Sequence, residues 1–378
     1  MAEPFKNMFN EPFFDRFSKD LKLVIKDFDA HAFAYQIMDD EWENREYKQR
    51  VAHITTVLRK FLPAGYKEAI AKILELLDYV ESTQPDFSKT DDTKFGLILE
   101  YGAVLSNYAE QYGLDDYKTS VEAIEKITQF TSCEFAVRPF IVKYPDEMMK
   151  QMRVWSKHTH WGVRRLASEG CRPRLPWAMA LPNLKENPAP IFPILENLKN
   201  DPSRFVRLSV ANHLNDIAKD HPQTVLDLAK RWKGESDDVD WIIKHGCRTL
   251  LKQDHPEVME LFGFDPVKGG SIENFQISSP EVKIGDSLEF SFNLLNNNDK
   301  KAGIRLEYGI YYQKANGTLA KKVHKISEKK YAGNSTTQIT RKHSFRVVTT
   351  RKLHPGLHQV AVIINGNEFE KHNFELIA

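Results

Sequence analysis

A chain of 378 residues is long enough to form two domains, each with its own hydrophobic core. Its 53 Lys and Arg residues almost cancel its 52 Asp and Glu residues, so the total charge indicates neither nucleic acid nor membrane as a partner. Three cysteines without a CxxC spacing argue against a disulfide framework and against a zinc ribbon.

The amino terminus and the cysteines predict a cytoplasmic protein. Residues 1–10 contain Pro4 and Lys6 and no apolar run, so we expect no signal peptide. No stretch approaches the roughly 18 apolar residues that a membrane helix needs, so we expect no membrane partner. A reducing compartment suits three unpaired thiols, those of Cys133, Cys171 and Cys247.

Apolar residues recur at helical spacing from Phe5 to about Phe264, for example between Ala69 and Val80. Asp-Pro and His-Pro pairs mark turns between the helices, as at His221-Pro222. We therefore predict that residues 1–266 form one domain built almost entirely of helices.

Three stretches of this domain look like variants of one unit, in which a helix, a short turn and a second helix follow one another: Trp155 to Arg172, Leu198 to Asp216, and Trp232 to Leu251. When Val163, Val206 and Trp241 are taken as equivalent, the spacing is about 40 residues, close to that of HEAT repeats. The pattern predicts a HEAT-like α-solenoid with a concave face. An irregular helical bundle is the alternative.

The apolar pattern changes to alternation after Gly269-Gly270. Alternating apolar residues recur in three runs, which include Leu288 to Leu294, Leu306 to Ile310, and Val360 to Ile364. Asn316-Gly317 and Asn365-Gly366 each supply the residues of a two-residue hairpin turn. We predict an immunoglobulin-like β-sandwich over residues 267–378.

Positive charge is concentrated between Lys150 and Trp177, a stretch that contains seven basic residues and one acid, Glu169. Basic side chains on a concave helical surface suit the phosphate backbone of nucleic acid. Trp161 and Trp177 lie among these cations, which favours a nucleic-acid surface over an ordinary solvated helix face. Glu169 is either a structural ion-pair partner or a carboxylate held ionised to face a developing positive charge.

The motifs of other enzyme classes are absent from the sequence. It has no glycine-rich phosphate loop, no GxSxG and no HExxH. His158-Thr159-His160 supplies two imidazoles without further ligands at a suitable spacing, which is weak support for a metal site. We therefore expect neither a metal nor a cofactor.

Three ordered blocks of the sequence resemble the AlkC family of bacterial DNA glycosylases. TSCEFAVRPF at residues 131–140 is similar to the family's EFAxRPF signature. HWGVRRLASEGCRPRLPW at residues 160–177 and DPSRFVRLSVANHLNDIAK at residues 201–219 match two further blocks. The resemblance covers about residues 5–252, and the C-terminal sandwich places the chain in the branch that carries an Ig-like domain.

The resemblance implies a bacterial, monofunctional glycosylase of base excision repair with HEAT-like repeats, as in the similar AlkD proteins. Its expected partner is double-stranded DNA that contains alkylated bases, with 3-methyladenine as the leading substrate and 3-methylcytosine as another. It implies hydrolysis of the N-glycosidic bond without base flipping and without lyase activity. We expect a monomer.

The resemblance also implies site residues. The catalytic set is Glu134, Glu169, Asp216 and Trp177, and the DNA-facing cations are Arg165, Arg172, Arg174 and Arg207. The basic stretch between Lys150 and Trp177 adds Arg164 and Trp161 to the expected DNA-binding residues of the helical domain. From the basic cluster of the sandwich we add Lys321 and Lys322, and we expect this domain to clamp the DNA. Asp216 could instead be a helix cap or a phosphate-loop brace, and Glu134 could be a charge at the N-terminus of a helix.

Two other functions are compatible with a helical-repeat chain. One is a non-catalytic scaffold that binds another protein on its concave face. The other is a damaged-DNA sensor without chemistry. An acid and a tryptophan inside a basic stretch disfavour the scaffold, whereas only an assay separates the sensor from the enzyme.

Overall fold

The structure, a computed structural model, describes residues 4–83, 99–265, 270–347 and 352–378. The chain forms two compact units. The first comprises Met1–His221 and Trp232–Gly246, and the second comprises Pro222–Arg231 and Cys247–Ala378. The predicted boundary between residues 266 and 267 lies outside the described residues.

The helices confirm the mostly α-helical prediction. In chain order they are α1 (Glu11–Val24), α2 (Ala30–Ile37), α3 (Tyr47–Phe61), α4 (Tyr66–Thr83), α5 (Leu99–Tyr112), α6 (Tyr117–Thr128), α7 (Arg138–Lys143), α8 (Pro145–Trp155), α9 (Trp161–Glu169), α10 (Pro182–Glu186), α11 (Phe192–Leu198), α12 (Arg204–Ile217), α13 (Pro222–Trp232), α14 (Asp237–Gly246), α15 (Arg248–Lys252) and α16 (Pro256–Leu261). Short 3₁₀ helices occupy Phe5–Met8 and Ala189–Ile191. No helix of the described residues is long and apolar enough to cross a membrane.

The repeat is visible in α9, α12 and α14, since α9 packs against α12 and α12 against α14. The third residue of each helix is a fully buried valine: Val163, Val206 and Val239. The side chains of Ser203 and Ser236 cap α12 and α14 by accepting the backbone N–H of these valines.

The sequence alignment of the third repeat was wrong by two residues, because Val239 and not Trp241 takes the buried position. Trp241 is half-buried and stacks on His245 instead. The large apolar ring of Trp241 made it the more conspicuous residue in the sequence, whereas the feature that the three repeats share is a buried valine as the third residue of the helix.

The second unit contains a sandwich of eight strands in its described part: β1 (Ser271–Ile277), β2 (Glu281–Lys283), β3 (Ser287–Asn296), β4 (Ala302–Gln313), β5 (Leu319–Tyr331), β6 (Ser335–Ser344), β7 (Gly356–Ile364) and β8 (Asn367–Ile377). One sheet has the order β1-β3-β6 and the other β2-β8-β7-β4-β5. The predicted alternating residues of β3, β4 and β7 share one apolar core. This confirms the Ig-like prediction.

One of the two predicted hairpin turns has the expected geometry. Asn365 and Gly366, with φ of 47° and 85°, join the paired residues Ile364 and Asn367. The other hairpin is present but its turn is longer: residues 314–318 connect β4 to β5. Of the Asn316-Gly317 pair, Gly317 alone has a positive φ. A two-residue type I′ turn, the type formed by Asn365-Gly366, needs a positive φ at both positions.

Candidate functional site

Six side chains of the first unit form a row in which acids and bases alternate: Glu134, Arg165, Glu169, Arg172, Asp216 and Lys219. We call it the charged row. The resemblance singled out the three acids, and the structure places all three in one network. Its members come from the turn before α7, from α9, from the segment that follows α9, from the end of α12, and, for Lys219, from the residues just after α12.

Arg165 joins the first two acids of the row. Its Nη1 lies 2.6 Å from Oε2 of Glu134, and its Nη2 lies 3.7 Å from Oε1 of Glu169. Ser132 donates a further hydrogen bond to the Glu134 carboxylate. Since Arg165 and Glu169 are four residues apart on α9, this contact follows directly from helical spacing.

Arg172 joins Glu169 to Asp216. Its Nη1 lies 2.5 Å from Oε1 of Glu169, while its Nε and Nη2 lie 2.9 and 2.8 Å from Oδ2 of Asp216. The Ser209 hydroxyl donates to the second oxygen of Glu169 at 2.6 Å. Lys219 lies 3.2 Å from Oδ1 of Asp216 and ends the row.

The three acids differ in exposure. The side chain of Glu134 is 19% exposed, against 7% for Glu169 and 4% for Asp216. Burial alone would raise the pKa of Glu134, but the charge and hydrogen bond of Arg165 outweigh it and hold the pKa below its ordinary value. Glu134 is therefore ionised at neutral pH and is the acid of the row most open to a ligand.

Two of the alternative roles considered from the sequence do not match the structure, namely a helix N-cap for Asp216 and a helix N-terminal charge for Glu134. Asp216 lies next to the last residue of α12, so it is not an N-cap; its carboxylate braces Arg172. Glu134 precedes α7 by four residues and binds Arg165 of α9 instead of the N-terminus of α7.

Trp177 lies outside the row on the segment between α9 and α10. Its side chain is 74% exposed, and its φ of 65° is a left-handed conformation that is uncommon for a bulky residue. The Lys48 ammonium donates to the backbone carbonyl of Trp177. The ring is thus presented to solvent by a backbone that is held in place.

Arg138 is a residue of the site that the sequence reasoning missed. It is fully buried, and its guanidinium donates to the carbonyls of Gly170, Arg172 and Met179 at 2.9, 2.9 and 2.7 Å. Burial lowers its pKa to about 10. These three bonds hold both ends of the segment that carries Arg172 and Trp177. The arginine of the EFAVRPF block was the available signal, but nothing in the sequence showed that it is buried.

Replacing Arg138 with Met is expected to lower the thermal midpoint of the helical unit by several degrees, because buried carbonyls lose their donors at a cost of about 1–3 kcal/mol each. Circular dichroism at 222 nm during heating measures this. Arg153→Met is the matched control, since Arg153 is exposed on α8. Equal midpoints for the two variants would show that Arg138 does not hold the segment.

The other predicted DNA-binding arginines of the helical domain bind carboxylates of the protein itself. Arg164 pairs with Asp201 at 2.5 Å, Arg174 with Asp220 at 2.7 Å, and Arg207 with Asp238 at 3.0 Å. Arg164 and Arg207 also donate to backbone carbonyls next to their helices. The sequence did not indicate these partners.

The structure favours a role for Arg172 that differs from the expected DNA contact. We expected it to face DNA, but it is buried, and its guanidinium is engaged by Glu169 and Asp216. This geometry favours a positioning role for Arg172 over a phosphate contact. Among the five predicted arginines, Arg174 is the most accessible, with a side chain that is 36% exposed.

Trp161 is half-buried at the start of α9, where its ring stacks on His160 and meets Phe205 edge to face. His160 caps α9 by accepting from Gly162, and His158 accepts from the backbone of His160. Within the described residues no group of three or more His, Cys, Asp or Glu side chains is arranged to hold a metal.

His213 of α12 is fully buried near the charged row. Burial lowers its pKa well below the ordinary value, and the charges of Arg172 and Arg138 lower it further. The imidazole is therefore neutral at neutral pH and is not a proton donor to a ligand.

The predicted lysines of the sandwich lie on β5. Lys321 and Lys322 are exposed, and Lys321 pairs with Glu368 at 2.5 Å. Further exposed lysines follow on the same strand at positions 325, 329 and 330. The strand thus presents a basic surface within the second unit.

Comparisons with known proteins agree with this arrangement. Residues 101–250 match a family model described as "DNA alkylation repair enzyme", and residues 271–378 match one described as "Uncharacterised protein YhaZ, C-terminal Ig-like domain". The uncharacterized protein YhaZ of Bacillus subtilis (strain 168) is 38% identical over 371 residues, which cover 98% of this chain and 99% of that protein.

A solved structure is similar over the whole chain. It is the Pseudomonas fluorescens alkylpurine DNA glycosylase AlkC, bound to DNA containing an abasic site analog. The two chains are 31% identical and superimpose with a TM-score of 0.90, and each is covered completely.

Proposed function

Since this chain belongs to the family of YhaZ and the AlkC glycosylases, we propose that it is a DNA glycosylase that removes cationic alkylated bases from double-stranded DNA. The observation that carries the proposal is the charged row, which holds three carboxylates of the family blocks in one network. The leading substrate is 3-methyladenine, with 3-methylcytosine as a second.

Removal of such a lesion does not require the protein to protonate the base. Alkylation at N3 gives the base a formal positive charge, so the base can depart with the electron pair of the N-glycosidic bond and become neutral. The sugar then gains oxocarbenium character at C1′, as in glycoside hydrolysis, and water adds to C1′ with loss of a proton. Fixed negative charge near the sugar stabilises this transition state.

Glu134 is the acid that we assign to the sugar cation, because it is ionised and is the most exposed of the three. Glu169 and Asp216 keep Arg172 in place and add their negative charge to that of Glu134 within the charged row. Trp177 offers an exposed aromatic face to the cationic base. Because the carboxylates act on the sugar, full flipping of the base is not required before the bond breaks.

Release of free base tests the proposal. The purified protein is incubated with methylated duplex DNA, and the supernatant is chromatographed for 3-methyladenine. We expect the free base, while the DNA strand stays intact because no lysine is assigned as a nucleophile. A damage sensor or a scaffold would release nothing.

We also propose that the sandwich clamps DNA through β5. Lys322→Ala is expected to weaken DNA binding and to reduce the slope of log K against log salt by about 0.9, the value for one phosphate contact. Binding titrations at several salt concentrations measure this, with Lys283→Ala on β2 as the control. An unchanged slope for Lys322→Ala would remove β5 from the DNA interface.

A further inference from the structure

A cavity of about 220 Å³ opens beside Glu134, between α3, α5 and residues 131–135 of the first unit. It is smaller than the about 300–1,000 Å³ of pockets for drug-sized ligands and suits a molecule the size of one nucleobase. We call it the Glu134 cavity. The side chains that decide its chemistry are those of Tyr47, Lys48, Ser106, Glu110, Glu134 and Phe135.

The Glu134 cavity adjoins the charged row through Glu134 and the segment of residues 170–179, which carries Trp177, through Lys48. Glu134 lines it and binds Arg165 of the row. Lys48 lines it too, and its ammonium donates to the backbone carbonyl of Trp177. One wall is therefore shared with the proposed catalytic acid, and another is tied to the segment that presents the exposed ring.

The lining combines aromatic faces with hydrogen-bonding groups. Tyr47 and Phe135 supply the rings. The carboxylate of Glu110 accepts from the Asn107 amide through one oxygen, at 3.1 Å, and can accept an exocyclic amino group through the other. Ser106 adds a hydroxyl. A planar heterocycle with both donors and acceptors matches such a lining.

Lys48 places a positive charge at the Phe135 side of a lining that also contains the carboxylates of Glu110 and Glu134. Its ammonium lies 4.8 Å from the centre of the Phe135 ring, so the aromatic face already has a cation over it. A second cation there would meet like-charge repulsion, whereas a neutral ring would not. The Phe135 face of the cavity thus suits a neutral heterocycle better than a second cation.

We propose that the Glu134 cavity holds the methylated purine after the N-glycosidic bond has broken, an inference that rests on the proposed glycosylase function. The base that leaves is neutral because it keeps the bonding electron pair. The cavity accepts that product next to the acid that faces the sugar. The released base thereby moves away from C1′, and re-formation of the N-glycosidic bond is disfavoured.

Free 3-methyladenine is the probe for this site. We expect it to bind the full-length protein without DNA, seen as line broadening of its methyl proton resonance, and to inhibit excision. Ser106→Leu fills the cavity, and Glu110→Gln weakens acceptance of the amino group while keeping the shape. Each is expected to raise the inhibition constant by at least about tenfold. Glu122→Gln, an exposed Glu on α6, is the control with wild-type inhibition.

Circular dichroism shows whether Ser106→Leu is folded; if it is not, Glu110→Gln decides the question. Absence of methyl broadening with an active wild-type protein would overturn the cavity proposal and leave the glycosylase intact. Inhibition constants of Glu110→Gln equal to those of Glu122→Gln would overturn it as well. Failure of the proposed function would instead appear as absence of excision by the wild-type protein.

Discussion

Glu134→Gln is expected to lower the single-turnover rate of 3-methyladenine excision by about 10²- to 10³-fold, the scale on which one preorganised electrostatic group contributes. The substitution keeps the size of the side chain but removes the negative charge that faces the sugar. DNA affinity should change little, because a carboxylate makes no favourable contact with phosphate. Rates come from rapid mixing with enzyme in excess over a duplex that carries one lesion.

Glu43→Gln is a suitable control for this prediction, since Glu43 is exposed and lies outside the charged row. A wild-type rate for Glu134→Gln would assign the stabilisation of the sugar cation to another acid. A loss of binding in step with the loss of rate would indicate that Glu134 organises the DNA surface instead.

Arg172→Met is expected to lower the free energy of unfolding of the first unit by about 3–5 kcal/mol and to abolish excision. The substitution leaves the buried carboxylates of Glu169 and Asp216 without their shared cation, and breaking one partner of a buried ion pair has this cost. Chemical denaturation followed by circular dichroism measures the stability, and base release measures the activity.

Arg172→Lys separates positioning from phosphate contact. It keeps the positive charge but cannot reach both acids in the bidentate manner of a guanidinium. We expect reduced excision with an unchanged salt dependence of DNA binding. A shallower salt dependence would restore the expectation from the sequence that Arg172 contacts phosphate.

Much of the fold could be predicted because local patterns decide it. Serine caps followed by buried valines and the alternating residues of β3 specify their elements through contacts close in sequence. Turn length is less local: Asn316-Gly317 lies in a five-residue connection because the pairing of Gln313 with Leu319 fixes where the ladder ends.

The site could be predicted only in part, because its contacts cross between helices. The pairing of Glu169 with Arg172 follows from their spacing, whereas the bond from Arg172 to Asp216 depends on how α9 packs on α12. The burial of Arg138 likewise depends on the path of a segment distant in sequence. The basic residues of the sequence therefore predicted more DNA contacts than the structure favours, because the predicted arginines pair with carboxylates of the protein itself.

We propose that carboxylates stabilise the sugar cation while the base departs without protonation by an acid of the protein. This proposal is tested most directly by comparing excision of 3-methyladenine and of uracil from otherwise identical duplexes. We predict release of 3-methyladenine and no detectable release of uracil, since a missing acid alone costs about 10²- to 10⁴-fold. Efficient uracil release would contradict the account.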